Sequence, residues 1–213
     1  MINYLQNSIK EYLDDLSSNK PAPGGGSASA LVGCLGISCL LMVANFTINK
    51  HGYEKYQNEI KEIIKKLKKI KRDLAELVNK DVIAYEKVAN AYKLPKNTET
   101  EIRKRKKEIQ IALINALRVP KEIILKCLSA MPVANRLSKI GNKNLITDVG
   151  CGLNFLQSCA ESAKLNIDIN LKFLKNKSLI KKTKKEIKAV LTRIKKIFME
   201  TRKKIQFSME DSK

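Results

Sequence analysis

A chain of 213 residues is long enough for one domain with a substantial core. Five cysteines (Cys34, Cys39, Cys127, Cys151, Cys159), an odd number with no CxxC pair, exclude a disulfide framework, and a single histidine, His51, argues against a His-rich metal site. A net charge of +21 points toward anionic partners, yet 5% aromatics and no Trp leave few rings to stack on bases.

Helical periodicity runs along almost the whole chain. Tyr4, Ile9, Tyr12, Leu13 and Leu16 predict a short first helix that stops before Ser17-Ser18-Asn19-Lys20. A second helix is expected from Ser27 to about Asn49. Ile60, Ile63, Ile64, Leu67, Ile70, Leu74, Leu77 and Val78 then follow i, i+3, i+4, i+7 spacing, which continues through Val82, Tyr85, Val88 and Tyr92. Pro95 ends this third helix, and its length invites a kink near Asn79-Lys80-Asp81. Thr98 or Thr100 caps a fourth helix interrupted at Pro120, and Pro132 is expected to divide Ile123–Ala130 from Val133–Lys139. Gly141 to Asn144 reads as a turn, and 145–163 as another helix of small residues. A last long helix follows Asn166-Ile167-Asp168-Ile169-Asn170, with Ile187, Val190, Leu191, Ile194, Ile197 and Phe198 as its buried stripe. No strand alternation of useful length interrupts this pattern. The expectation is an all-α, single-domain bundle over 1–205, with a frayed tail at 206–213.

Residues 21–49 stand apart, because these 29 residues carry no charge in a chain that is 30% charged. They open on Pro23-Gly24-Gly25-Gly26-Ser27, a loop that delivers the chain into a helix and brings backbone N–H groups near a ligand. By itself the glycine loop is a weak signal. No Gly-Lys-Ser/Thr follows it and no strand precedes it. Ala28 to Phe46 is long enough to span a bilayer, but Ser29, Gly33, Gly36, Ser38 and Asn45 lie within it and aromatic anchors are missing at both ends. A buried helix is the favoured reading, with no membrane partner. Residues 1–20 lack the basic and apolar regions of a signal peptide, so the expected location is cytoplasmic.

Residues 172–204 hold 14 Lys or Arg against Glu186 and Glu200. With no stacking aromatics interleaved and no helix-turn-helix pattern, this stretch reads as a solvated helix face, and no specific nucleic-acid partner is expected. A basic helical nucleic-acid-binding protein is the alternative from another class, and a folate-binding scaffold without turnover is a third.

Five stretches in order carry a more specific signal. PAPGGGSASAL (21–31), leading into a helix that ends MVANFT, resembles the start of the formiminotetrahydrofolate cyclodeaminase / methenyltetrahydrofolate cyclohydrolase family. LVNKDVIAYEKVANAYKLPK (77–96), VPKEIILKCLSA (119–130), GNKNLITDVGCGLNF (141–155) and AKLNIDINLKFL (163–174) resemble its later motifs. The resemblance implies an all-helical homodimer that takes a folate carrying a one-carbon unit as substrate, with no permanently bound cofactor and no metal. Carried over position by position, it implies that Asp81 and Asp148 are catalytic. It implies substrate contacts at Pro23, Gly24, Gly25, Gly26, Ser27, Tyr85, Asn166 and Asn170. Asp168 departs from the family pattern, which often has a basic residue there.

The chemistry suits these residue types. Methenyltetrahydrofolate holds its carbon as a cationic amidinium, and hydrolysis adds water to that carbon before one C–N bond breaks. Formimino folate cyclises to the same cation as ammonia leaves. Both paths cross a tetrahedral carbon, move protons, and favour a carboxylate beside positive charge. A free-standing chain tilts the choice toward the cyclohydrolase. Packing competes with a site role at Tyr85 and Tyr92, Ser27 reads equally as a helix cap, and Asp148 as a carboxylate at a helix start. Lys93 and Lys96 are candidates for holding the substrate's glutamate carboxylates.

Overall fold

A computed structural model describes residues 3–210 of the protein and is helical throughout, with no strand among the described residues. The helices are α1 (Ile9–Ser17), α2 (Gly25–Asn45), α3 (Gln57–Lys93), α4 (Glu99–Ala116), α5 (Arg118–Ile140), α6 (Ile146–Lys172) and α7 (Lys177–Glu210). Capping boxes start two of them. The Ser8 side chain accepts from the Glu11 N–H while Glu11 reaches back to the Ser8 N–H, and Thr98 and Glu101 do the same for α4.

The uncharged helix α2 is the centre of the bundle, packed along α6 and α3 with α5 behind. Its small residues permit a close crossing. A Cβ on Gly36 would lie 3.0 Å from the Gly152 carbonyl, and one on Gly152 would lie 2.9 Å from the Gly36 carbonyl. Gly33 meets the Cys159 thiol in the same way. Its most apolar stretch reaches a mean hydropathy of 2.1, and more than half of that stretch is buried within the fold. Ile37, Leu40, Leu67, Leu74, Ile123, Met131 and Leu153 are fully buried around it. Each such side chain contributes about 1.5–3 kcal/mol through loss of apolar surface to water. Cys127 and Cys159 lie in this core as free thiols with their sulfurs 3.3 Å apart.

Several boundaries differ from the periodicity reading. α3 runs unbroken through Asn79-Lys80-Asp81. α5 continues across Pro132, because Met131, Val133 and Ala134 are buried on either side and hold the helix against the loss of one hydrogen bond. Residues 145–163 and 166–170 belong to one helix, α6, so Asn166 and Asn170 sit inside a helix rather than in a connection. α7 keeps its helical path to Glu210 where fraying is expected from residue 206, and 211–213 lie outside the described residues.

Candidate active site

A cleft of about 510 Å³ opens where the start of α2, the second half of α3, the end of α4 and the end of α6 converge. Among the described residues, Asp81 is the one charged side chain that lines it, in a molecule of net charge +21. Tyr85 stands one turn further along α3 at i+4 and Tyr92 continues the same face, as the helical repeat requires. Both tyrosines are exposed, at 46% and 41%, so they face the cleft and are not core.

The glycine loop meets α3 at Asp81. The helix begins at Gly25 with Gly24 as its N-cap. A Cβ on Gly26 would lie 2.5 Å from Cγ and 2.6 Å from Oδ2 of Asp81, so the carboxylate rests on the bare Cα of this glycine. A Cβ on Gly24 would meet nothing within 4 Å, and one on Gly25 would make an ordinary contact with the Asn166 amide. Steric need among the protein's own atoms therefore falls on Gly26 alone, while Gly24 faces open space at the cleft.

Burial pushes the Asp81 carboxyl up from 3.8 to about 6, opposed by a hydrogen bond from the backbone N–H of Ser27. That N–H belongs to the first turn of α2, where unpaired donors and the helix dipole favour a carboxylate. A carboxyl that titrates near 6 can both accept and return a proton at neutral pH.

Asn166 and Asn170 line the opposite wall, one turn apart on α6. Their amide Nδ2 groups donate to the carbonyls of Ser162 and Asn166, at 3.1 and 2.7 Å. Both Oδ1 atoms are left to accept from a ligand. Ile169, Phe173 and Leu113 supply apolar surface between these polar points.

Five of the candidate site residues singled out in the sequence do not line the cleft. Pro23 is buried beneath it, next to a cis Ala22–Pro23 peptide, and Pro21 and Ala22 line the cleft instead. Ser27 is fully buried, and its hydroxyl lies 3.1 Å from the Tyr12 hydroxyl rather than in the cleft. Asp148 lies in the first turn of α6, within electrostatic reach of Cys39. It stands eighteen positions before Asn166 on the same helix, roughly 27 Å at 1.5 Å per residue, and so lies away from the Asp81 cleft of its own chain. Lys93 and Lys96 also lie outside the lining. Among the described residues no three His, Cys, Asp or Glu side chains gather as a metal site.

A formiminotransferase-cyclodeaminase family profile matches residues 8–189. The chain belongs to the formiminotransferase-cyclodeaminase family. The match covers every wall of the Asp81 cleft, from the glycine loop to Phe173. Within the family, the chain is 34% identical to a methenyltetrahydrofolate cyclohydrolase of Methylorubrum extorquens over 184 residues, 86% of this chain and 88% of that one. It is 27% identical to the formimidoyltransferase-cyclodeaminase of Rattus norvegicus over 187 residues, where it spans 35% of the larger protein. Its fold matches the crystal structure of a formiminotetrahydrofolate cyclodeaminase from Thermotoga maritima with a TM-score of 0.86 and 30% identity, over 95% of this chain and 98% of that one.

Within this family fold, the cleft residues that motif reading overlooks are of two kinds. Val88, Ile169 and Phe173 extend the helical faces of Tyr85, Asn166 and Asn170 by one turn, and the i, i+3, i+4 rule reaches them. Leu113 and Ala116 of α4 carry no such signal, because their spacing matches ordinary core packing.

Proposed function

We propose that this protein is an enzyme of one-carbon folate chemistry that hydrolyses 5,10-methenyltetrahydrofolate to 10-formyltetrahydrofolate. The observation that carries the reading is Asp81, a carboxylate seated on Gly26 as the one charge of the cleft. The likeness to the Methylorubrum cyclohydrolase over most of both chains supports it. The substrate's amidinium cation is attracted to the carboxylate, and the neutral apolar walls receive the rings. Asp81 takes a proton from the attacking water as the C–O bond forms. It returns a proton to the departing ring nitrogen as the C–N bond of the tetrahedral adduct breaks, and the adduct's hydroxyl proton passes to solvent. The Oδ1 atoms of Asn166 and Asn170 accept from ring N–H groups and set the orientation.

Formimino folate is the second reading, favoured by the likeness to the Thermotoga cyclodeaminase. There the second folate nitrogen attacks the formimino carbon, and Asp81 carries the proton released by that nitrogen to the leaving ammonia as the C–N bond to it breaks. Purified protein given each substrate separately distinguishes the two. Conversion of the methenyl compound above its spontaneous rate supports the first, and ammonia release supports the second. Neither turnover nor binding of either compound would overturn the folate reading. In the active case, kcat/KM is expected to fall about tenfold per pH unit below about 6, as Asp81 takes up the proton that disables it as a base. A flat profile from pH 5 to 8 would remove Asp81 from that step.

The working unit in this reading is a homodimer. Leu35 and Met42 on α2, Phe46 at its C-cap, and Phe155 and Leu165 on α6 are exposed large apolar side chains along the two adjoining central helices. Isologous antiparallel packing of this face would exchange the two ends of the helices, and Asp148 of the partner subunit would then approach the cleft. In a 1:1 mixture of Asp81→Asn and Asp148→Asn subunits, half the dimers carry one intact site, so activity is expected at about a quarter of wild type. Near-wild-type activity of Asp148→Asn alone, or a monomer by light scattering at micromolar concentration, would sink this arrangement. Cytoplasmic location and the absence of nucleic-acid and membrane partners belong to the same proposal.

A further inference from the structure

We propose that Tyr12 is a positioning residue for the Asp81 carboxylate, acting through Ser27 in the first turn of α2. The inference rests on the reading of Asp81 as the group that moves protons. Tyr12 is the buried residue of α1, a helix otherwise exposed or partly exposed. Its hydroxyl lies 3.1 Å from the hydroxyl of Ser27, and both residues are buried. Asp81 rests its carboxyl on Gly26, the residue before that serine, and the Ser27 backbone favours its charged form. Contacts therefore run from α1 through the first turn of α2 to the carboxylate on α3.

The anchoring around Tyr12 is tight. Its ring meets Tyr4 edge to face, with centroids 5.3 Å apart. Tyr4 is held in turn by its N–H on the Asn79 side chain, 3.1 Å away, and by its hydroxyl on Asp15, at 3.0 Å. Asn79 lies two residues before Asp81 on α3. The segment before the glycine loop is thus fastened to the helix that carries the carboxylate, and Tyr12 is its one hydroxyl bonded to α2.

The groups that face Asp81 are few. Tyr12 comes from α1, and Tyr85 and Tyr92 lie on the cleft face of α3. α2, α4 and α6 contribute no ionisable side chain to the cleft wall. Burial raises the Tyr12 phenol above its usual range and the Asp81 charge adds to this, so the hydroxyl stays neutral at working pH. The Ser27 N–H is then the main favourable contact of the ionised carboxylate. Without the Tyr12 hydroxyl, the Ser27 hydroxyl loses its partner in a dry site, and the first turn of α2 is free to shift its N–H away from Asp81. The expected sign is a higher Asp81 pKa, because the bond being weakened favours the charged form.

The test is the titration of the Asp81 carboxyl carbon by NMR on the full-length protein labelled with 13C-aspartate, assigned by its loss in Asp81→Asn. Tyr12→Phe keeps the ring and its packing, Ser27→Ala removes the other hydroxyl, and Tyr4→Phe breaks only the bond to Asp15. Tyr12→Phe and Ser27→Ala are each expected to raise the midpoint by about half a pH unit or more, with the double variant no larger than the single ones. Tyr4→Phe is expected to leave the midpoint in place while lowering thermal stability. Loss of stability in Tyr12→Phe with an unmoved Asp81 titration would overturn the proposal and make Tyr12 a packing residue only. The titration needs no substrate, so a shifted midpoint in a protein that turns over no folate would sink the proposed function and leave the coupling standing.

Discussion

Asp81→Asn is expected to abolish turnover and to make the protein more stable at pH 7. Loss of a positioned acid–base group costs on the order of 10²–10⁴-fold in rate. The gain in stability follows from the direction of the shift. The folded-state carboxyl titrates at about 6, above its ordinary 3.8. Between those values the folded protein keeps a proton that the unfolded chain has released, so stability falls as pH rises through this window. Above it, the charged carboxylate is a standing cost of about 1–3 kcal/mol once residual solvent access is allowed for. Asparagine is neutral, has nearly the same shape, and still accepts from the Ser27 N–H. Urea unfolding of both proteins at pH 7 and pH 4 should show a stability difference that shrinks at the lower pH. Equal stability at both pH values, or activity within a few-fold of wild type, would contradict this assignment.

Gly26→Ala is expected to be the most damaging single methyl group in the chain. The added Cβ would lie 2.5 Å from the Asp81 Cγ, a separation that real Cβ atoms do not show, so the carboxylate or the first turn of α2 must move. Either movement breaks the contact with the Ser27 N–H and misplaces the proton-moving group. A displacement near 1 Å at a reacting centre costs about 10²-fold. Gly24→Ala is the control, because a Cβ there meets nothing within 4 Å. Gly26→Ala should lose at least 10²-fold in kcat/KM and about 1–3 kcal/mol in stability by overpacking. Gly24→Ala should fold like wild type and be impaired only in binding. Equal behaviour of the two variants would show that the glycines serve flexibility and not the seating of Asp81.

Much of this arrangement is legible along the chain. The Asp81–Tyr85 pair, four residues apart in an uninterrupted apolar repeat, has to share one face of a helix, and it does. The small residues of α2 and α6 announce a close crossing, realised where Gly36 meets Gly152. Local rules mislead where tertiary packing overrides them. Pro132 looks like a helix end, but the buried residues on both sides keep α5 whole. Asn166 and Asn170 look like the approach to the last helix, yet each turns its amide back onto its own helix and stays inside α6. Asp148 shares a motif with the site but stands at the far pole of the same helix, a separation that depends on where α6 begins and ends. Tyr12 could not be found from spacing, because its partner Ser27 lies across a glycine loop whose path only the fold defines.

A cleft with a single negative charge treats the two ends of the proposed reaction unequally. Methenyl folate arrives with a positive amidinium, and formyl folate leaves with neutral ring nitrogens. The attraction to Asp81 that draws the substrate in disappears once the C–N bond has broken, while the apolar walls hold both species alike. Chemistry thereby loosens the grip on its own product, and turnover needs no moving lid to let it go. A folate analogue with a permanent cation at that carbon should remain bound where the formyl compound escapes.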